Sequence, residues 1–176
     1  YEIGVRLVGS EMCIRDSLET VHPEILPRLN KQMTLADFQR AVSFLREHQI
    51  DVRAFILLKP PSLDEEEGVD WAIQSIQYAF DVGVDCCSLI PTRTGNGIME
   101  QLQAAGSFQP PCVQSMEQVL EAGLQMNQGR VFMDLWDAEQ FCTCRECASD
   151  RLQRLEIMNK TQQVPDPVRC SRSGCG

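Results

Sequence analysis

The sequence has no run of 18 apolar residues, so it predicts no transmembrane helix, and we expect no membrane partner. It is also short of basic residues: 16 Lys and Arg stand against 25 Asp and Glu, which gives a net charge of −9. A surface of that sign does not by itself indicate nucleic-acid binding. No internal repeat or low-complexity segment occurs. A hydrophobic fraction of 43% and a charged fraction of 23% are typical of a globular protein of about one modest domain.

Cysteine, by contrast, is abundant, with nine in 176 residues. The cysteines are unevenly spread, because five of them lie close to the C-terminus, at positions 142, 144, 147, 170 and 175. Small secreted domains distribute their cysteines through a loop-rich chain. A cysteine-poor body with a cysteine-rich tail instead indicates a reduced, cytoplasmic protein with a metal site in the tail.

Residues 1–17 show no periodicity, cap or turn chemistry that would assign them to an element. Residues 12–17 are encoded by the bases ATG TGT ATA AGA GAC AG together with one further base. This string of bases matches the transposon mosaic end of sequencing-library adapters. The preceding adapter bases encode residues 7–11 in the same frame. We therefore interpret residues 1–17 as adapter-derived and expect them to pair with no strand. The remainder is then the C-terminal part of a longer protein; the alternative is a genuine N-terminal strand and turn.

The rest of the sequence alternates strands and helices. Continuous apolar runs and alternation predict strands at 18–20, 51–60, 85–91 and 130–136. Helical apolar spacing predicts helices at 22–50, broken near 31–34, and at 64–82, 98–105 and 115–127. Thr34 is expected to cap a helix, with Asp37 three residues later. This order predicts a parallel sheet covered by helices.

Several stretches resemble one enzyme family. "LETVHPEILPRLNKQMTLADFQRAVSFLREHQIDVRAFILLKPP" resembles the fourth strand, fourth helix and fifth strand of the radical S-adenosylmethionine (SAM) barrel, in the branch shared by methylthiotransferases and the elongator-type acetyltransferase. "DVGVDCCSLIPTRTGNGIMEQL" resembles the sixth strand and its loop. "GRVFMDLWDAEQF" and "CTCRECASDRLQRLEIMN" resemble the tail of the archaeosine-biosynthesis radical SAM family and its bacterial relatives. The resemblance covers nearly all of 18–170 and depends on the order and spacing of the motifs.

The resemblance implies an α/β fold, with the C-terminal part of a TIM-like (βα) radical SAM barrel at 18–110 and a cysteine-rich extension at 111–176. Within 18–90 we therefore expect adjacent parallel strands with helices on one outer face, as an open segment of barrel that does not close on itself. It implies S-adenosylmethionine and a 4Fe–4S cluster as cofactors, and tRNA or a tRNA-modifying protein as partner. The family's cluster ligands form a CxxxCxxC loop, which does not occur in this sequence. We therefore expect no catalytic residue in this fragment and no activity of the fragment alone. A non-catalytic zinc-binding α/β interaction module is the alternative.

Polar residues follow the predicted strands at the edge where such sheets bind ligands. By the resemblance, Glu19 and Thr20 correspond to a pair that contacts the ribose or amino group of the cofactor. Lys59 lies where a cofactor carboxylate or substrate anion would bind, although a solvated lysine is an alternative interpretation. The loop that contacts adenine in the family contains Thr92, Arg93 and Asn96. A polar strand end that faces solvent remains the alternative for Glu19 and Thr20.

The tail carries the strongest local signal. Cys142, Cys144 and Cys147 are spaced to bring three thiolates around one turn, and Cys170 supplies a fourth ligand for a tetrahedral zinc ion. Cys175 is the alternative fourth ligand. An accessory iron–sulfur cluster would use the same residues. Unliganded reduced cysteines are the remaining interpretation.

Residues beside these motifs are expected to have structural roles. The adjacent Cys86 and Cys87 point to opposite faces of a strand, so the pair is predicted to be buried thiols and not one metal site. Thiolates around a divalent ion leave a net negative charge. We therefore expect Arg145, Arg151 and Arg169 to lie near the tail cysteines.

Overall fold

A computed structural model describes residues 11–13, 18–29, 33–95 and 97–172. The strands are β1 (Glu11–Cys13), β2 (Asp51–Leu58), β3 (Cys86–Pro91) and β4 (Arg130–Met133). The helices are α1 (Ile25–Arg28), α2 (Leu35–Glu47), α3 (Glu65–Asp81), α4 (Ile98–Ala104), α5 (Val113–Gln125) and α6 (Ala148–Thr161), with a 3-10 helix at Ala138–Phe141. The strands lie in the order β1-β2-β3-β4 and all pairs are parallel. The predicted parallel α/β arrangement is confirmed.

The helices cover one face of the sheet. In β2 every second side chain is buried, starting from Val52, and the intervening ones are half-buried or exposed. The buried face continues across β2, β3 and β4 through residues that are paired in register. These are Ala54, Cys87 and Val131, and then Ile56, Leu89 and Met133. These side chains form one core with apolar residues of α2, α3, α5 and α6. On the opposite face Phe55 and Phe132 are half-buried, whereas Cys86 and Ser88 of β3 are buried. The described strands run from β1 to β4 without closing on themselves, so the sheet is open, as predicted.

The helix starts follow local sequence signals. Thr34 and Asp37 form a capping box at α2, and Asp64 and Glu67 form the same arrangement at α3. Hydrogen bonds from the side chain and backbone of Thr34 lower the pKa of Asp37. The predicted helix at 22–50 is two helices in the structure, and residues 30–32 between them lie outside the described ranges. Within those ranges, no helix has the length and hydrophobicity needed to cross a membrane.

One edge of the sheet carries the N-terminal residues. Glu11–Cys13 pair with the start of β2, and Glu19 pairs further along it, donating to Phe55 O at 2.9 Å and accepting from Leu57 N at 2.8 Å. The expectation that residues 1–17 pair with no strand is therefore wrong for Glu11–Cys13. An open edge presents unpaired backbone groups that accept any extended segment, whatever its side chains. The adapter origin concerns the coding DNA and stays a prediction; residues 1–10 and 14–17 lie outside the described ranges.

The other edge is closed by the side chain of Asn159 in α6 and that of Gln162, the residue that follows α6. Asn159 accepts from Met133 N and donates to Met133 O, both at 2.8 Å. Gln162 makes the same pair of bonds with Val131, both at 2.9 Å. A carboxamide carries one acceptor and one donor group, as a peptide does, so the two side chains take the place of a neighbouring strand. In the described part of the chain the sheet consequently ends at β4.

Candidate metal centre

Three cysteines of the tail converge on one point. The Sγ atoms of Cys144, Cys147 and Cys170 all lie within 4.8 Å of one another, and the Cys144–Cys170 pair is 3.8 Å apart. Cys144 and Cys147 are buried, and Cys170 is half-buried. Sulfur atoms about 2.3 Å from a tetrahedral zinc ion lie about 3.8 Å from one another. The spacing of these thiols therefore fits a single metal ion.

Two short segments bring the thiols together. Cys144 and Cys147 lie in the loop between the 3-10 helix and α6, and Phe141 at the start of that loop is buried in the core. The second segment begins where α6 ends at Gln162, which has a left-handed conformation with φ of 56°. That turn sends the chain back along α6 and returns Cys170 to the helix start.

Cys142 does not join this group. Its half-buried side chain packs against the apolar core, and burial, followed by the negative potential of Cys147, raises the pKa of its thiol. Cys175 lies outside the described ranges. The structure thus brings together three of the four predicted ligands, Cys144, Cys147 and Cys170, and their role as ligands stays a prediction.

A buried ion network lies against the cysteines. Arg151 donates Nε to Cys147 Sγ at 3.3 Å and forms an ion pair with Glu117. Burial opposes the charge on Arg151, but its bonds with Cys147 and Glu117 outweigh burial and raise its pKa. Arg154 bonds to the same Glu117 carboxylate at 3.3 Å and to Glu121 at 2.9 Å. Sequence reasoning did not find Glu117 and Arg154, because charged residues on helices are mostly exposed.

Three arginines were predicted to lie near the tail cysteines, and a contact with a thiol is confirmed for one of them. Arg151 contacts Cys147 directly. Arg145 and Arg169 are both exposed, and no contact with a thiol is described for either. Their long side chains remain in water, where their charges are screened.

At the carboxyl end of β2, Lys59 is buried, so the interpretation as a solvated lysine is wrong. Its ammonium group pairs with the carboxylate of Glu65 at the start of α3. That carboxylate also accepts from Ser115 Oγ at 2.6 Å and from Cys112 N at 2.8 Å. Burial alone would raise the pKa of Glu65, but these hydrogen bonds outweigh it and lower the pKa. The backbone of Lys59 lies so close to α3 that a Cβ on Gly68 would be 2.8 Å from Lys59 Cβ.

At the carboxyl end of β3, both polar residues bond within the chain. Thr92 Oγ1 donates to Leu58 O at 2.9 Å. Arg93 pairs with Asp134 at 2.7 Å, donates to Trp136 O at 2.6 Å, and thereby ties the ends of β3 and β4 together.

Glu19 and Thr20, which the sequence places at the end of the first predicted strand, are less exposed than a solvent-facing strand end would be. Glu19 has a left-handed conformation with φ of 58° and is half-buried. Thr20 is 1% exposed, and its hydroxyl accepts from His22 N at 3.1 Å. Asn96 lies outside the described ranges. The described strand-end residues all lie at the carboxyl edge of the sheet, while contact with a cofactor stays a prediction for each of them.

No protein-family model matches the chain. An uncharacterized protein of Methanocaldococcus jannaschii is 23% identical over 155 residues, which are 80% of this chain and 41% of that protein. The archaeosine synthase subunit beta of Methanosarcina acetivorans is 27% identical over 146 residues, covering 78% of this chain and 41% of the relative. The archaeosine synthase subunit beta of Thermococcus kodakarensis is 32% identical over 105 residues, covering 58% of this chain and 32% of the relative.

The fold has a counterpart among solved structures. Archaeal Elp3 of Methanocaldococcus infernus, with its N-terminus deleted, superposes with a TM-score of 0.61 at 13% identity. The match covers 86% of this chain and 41% of the Elp3 chain. The chain therefore spans about two fifths, or less, of the length of each of these four proteins. At this identity the likeness to Elp3 shows a shared fold.

Proposed function

We propose that the chain is the C-terminal part of a radical SAM enzyme that modifies tRNA in the cytoplasm. The observation that carries this proposal is the 27% identity with an archaeosine synthase subunit beta, spread over 78% of the chain. The open parallel sheet and the fold shared with Elp3 support it. Because two of the relatives are named archaeosine synthase subunit beta, we further propose that the intact protein acts on tRNA together with a second protein.

The residues present do not fit the cluster that starts radical chemistry. Such a cluster needs three thiolates in a CxxxCxxC loop, and the 176 residues contain no such motif. We therefore assign no chemical step to this chain, and we expect it to be inactive by itself. Its proposed contribution is part of the barrel wall, with Glu19 and Thr20 at the rim that faces the cofactor.

The intact open reading frame tests this proposal. We expect it to encode a CxxxCxxC loop upstream of Leu18. The anaerobically purified product, once reduced, should cleave S-adenosylmethionine to methionine and 5′-deoxyadenosine, which chromatography detects. The present chain, assayed in parallel, should release none. An intact gene without the loop would contradict the proposal and leave a non-catalytic zinc-binding module.

For the tail we propose a zinc ion bound by Cys144, Cys147 and Cys170, with Cys142 or Cys175 as the fourth ligand. The close approach of the three sulfurs supports one ion, because each thiolate of a 4Fe–4S cluster binds a different iron and the sulfurs are spread farther apart. Four such ligands satisfy zinc in structural sites.

Metal analysis of purified variants tests the zinc centre. The wild-type chain should contain about one zinc ion per molecule, and Cys144→Ser should lose most of it, since structural zinc uses four ligands. Cys112→Ser is the matched control, because Cys112 lies outside the cluster. Comparing Cys142→Ser with Cys175→Ser identifies the fourth ligand. Equal zinc in the wild type and Cys144→Ser would contradict the centre.

A further inference from the structure

We infer that Glu117 positions both arms of the metal centre without touching the metal. One arm is the loop that carries Cys147, and the other is the returning segment that carries Cys170. The inference rests on the proposed zinc centre. It assigns to one buried carboxylate of α5 a role in metal affinity.

The first arm is held through Arg151. This guanidinium group donates to Cys147 Sγ at 3.3 Å and pairs with Glu117, and both ionic side chains are less than a tenth exposed. A planar guanidinium group that is held by a carboxylate at one nitrogen presents its other N–H groups in defined directions. The thiol of Cys147 is thereby oriented before a metal ion arrives.

The second arm is held through Arg154. Its side chain, 5% exposed, bonds to Glu117 at 3.3 Å. The same guanidinium donates to Pro165 O at 3.0 Å and to Asp166 O at 3.1 Å. These carbonyls belong to the segment that leads to Cys170, so Arg154 fixes the path by which that residue returns to α6.

Glu117 is therefore the shared anchor of the two arginines. It lies on α5, where the neighbouring Met116 and Leu120 are fully buried in the core, so the position of its carboxylate is set by core packing. If the carboxylate is lost, two buried guanidinium groups lose their common partner and both arms gain freedom. Groups that orient metal ligands in this way commonly change metal affinity by about 10- to 100-fold.

Cobalt binding measures this effect. The full chain is titrated anaerobically with Co²⁺, whose thiolate charge-transfer and ligand-field bands report ligand number and geometry, and zinc affinity follows by competition. Glu117→Gln should weaken binding about 10- to 100-fold and reduce the tetrahedral ligand-field intensity. Glu156→Gln is the matched control, because that glutamate is an exposed residue of α6 paired only with Lys160 among the described contacts.

Further variants keep the inference testable if Glu117→Gln does not fold. Arg154→Lys keeps the charge but cannot donate to the carboxylate and both carbonyls together, so it should also weaken binding. Arg151→Lys should restore part of the affinity lost in Arg151→Gln. Unchanged affinity in Glu117→Gln or Arg154→Lys, with Cys144→Ser still abolishing binding, would overturn the inference and leave the zinc centre intact. A wild-type chain that binds neither metal would overturn both.

Discussion

Substituting Asn159 by alanine should expose the outer edge of β4 and destabilise the protein. The carboxamide of Asn159 is the partner of both Met133 N and Met133 O, at 2.8 Å each. Met133 is 3% exposed, so the two backbone groups have little access to bulk water. Alanine has neither a donor nor an acceptor with which to replace the lost bonds.

The magnitude follows from the two lost hydrogen bonds. A buried polar group that is left without a partner costs about 1–3 kcal/mol. Removal of the side chain leaves room for a water molecule, so the low end of that range applies to each group. The better helix propensity of alanine returns about 0.5 kcal/mol. The net loss is about 1.5 kcal/mol, which lowers the urea midpoint by about 0.7 M if the denaturant slope is about 2 kcal/mol per M.

Urea unfolding followed by circular dichroism measures this loss. Gln153→Ala is the matched control, because Gln153 is an exposed residue in the same helix, and it should change stability by less than about 0.5 kcal/mol. Hydrogen exchange provides a second measure, since the Met133 amide should lose protection in Asn159→Ala. Equal midpoints for the two variants, with the Met133 amide still protected, would refute the assignment of Asn159 as the cap of this edge.

Two further predictions concern the end of β2. The folded pKa of Glu65 is lowered, so its ionised form adds stability above about pH 4.5 that is lost as pH falls through the lower, folded value. Glu65→Gln should therefore flatten the loss of stability on acidification below about pH 4.5, and an acid limb parallel to that of the wild type would contradict this. Gly68→Ala places a methyl group 2.8 Å from Lys59 Cβ, and the overpacking should cost about 1–3 kcal/mol in urea unfolding, more than the helix propensity returns. Gln74→Ala on the exposed side of α3 is the control, and a Gly68→Ala chain as stable as Gln74→Ala would contradict the close approach of Lys59.

Local patterns in the sequence predicted the elements and their order well. The capping pair Thr34 and Asp37 begins α2 where the residues predict, because a capping box joins residues only three positions apart. The opposite orientation of Cys86 and Cys87 is confirmed for the same reason, because strand geometry is a local property. The continuous apolar run of β2 is typical of a strand buried on both faces, but in the structure only every second side chain of β2 is buried. The strand–helix repeat predicted the parallel sheet, since a helix between two strands returns the chain to the same end of the sheet.

Contacts between distant residues were decided only by the tertiary structure. Lys59 is buried because Glu65 meets it there, and Glu65 is held in turn by Ser115, which is 50 residues further along the chain. Nothing near Lys59 in the sequence distinguishes a buried lysine from a solvated one.

The tail shows the same division. The spacing of Cys144 and Cys147 predicted a local turn that brings two thiols together, and this requires only the neighbouring residues. The selection of Cys170 and the departure of Cys142 depend on how the tail packs against α6 and the core. Glu117 is separated from Arg151 by 34 residues, and burial of the pair depends on the packing of α5 against α6. The sequence alone thus determined which thiols were available, while packing between helices decided which of them converge.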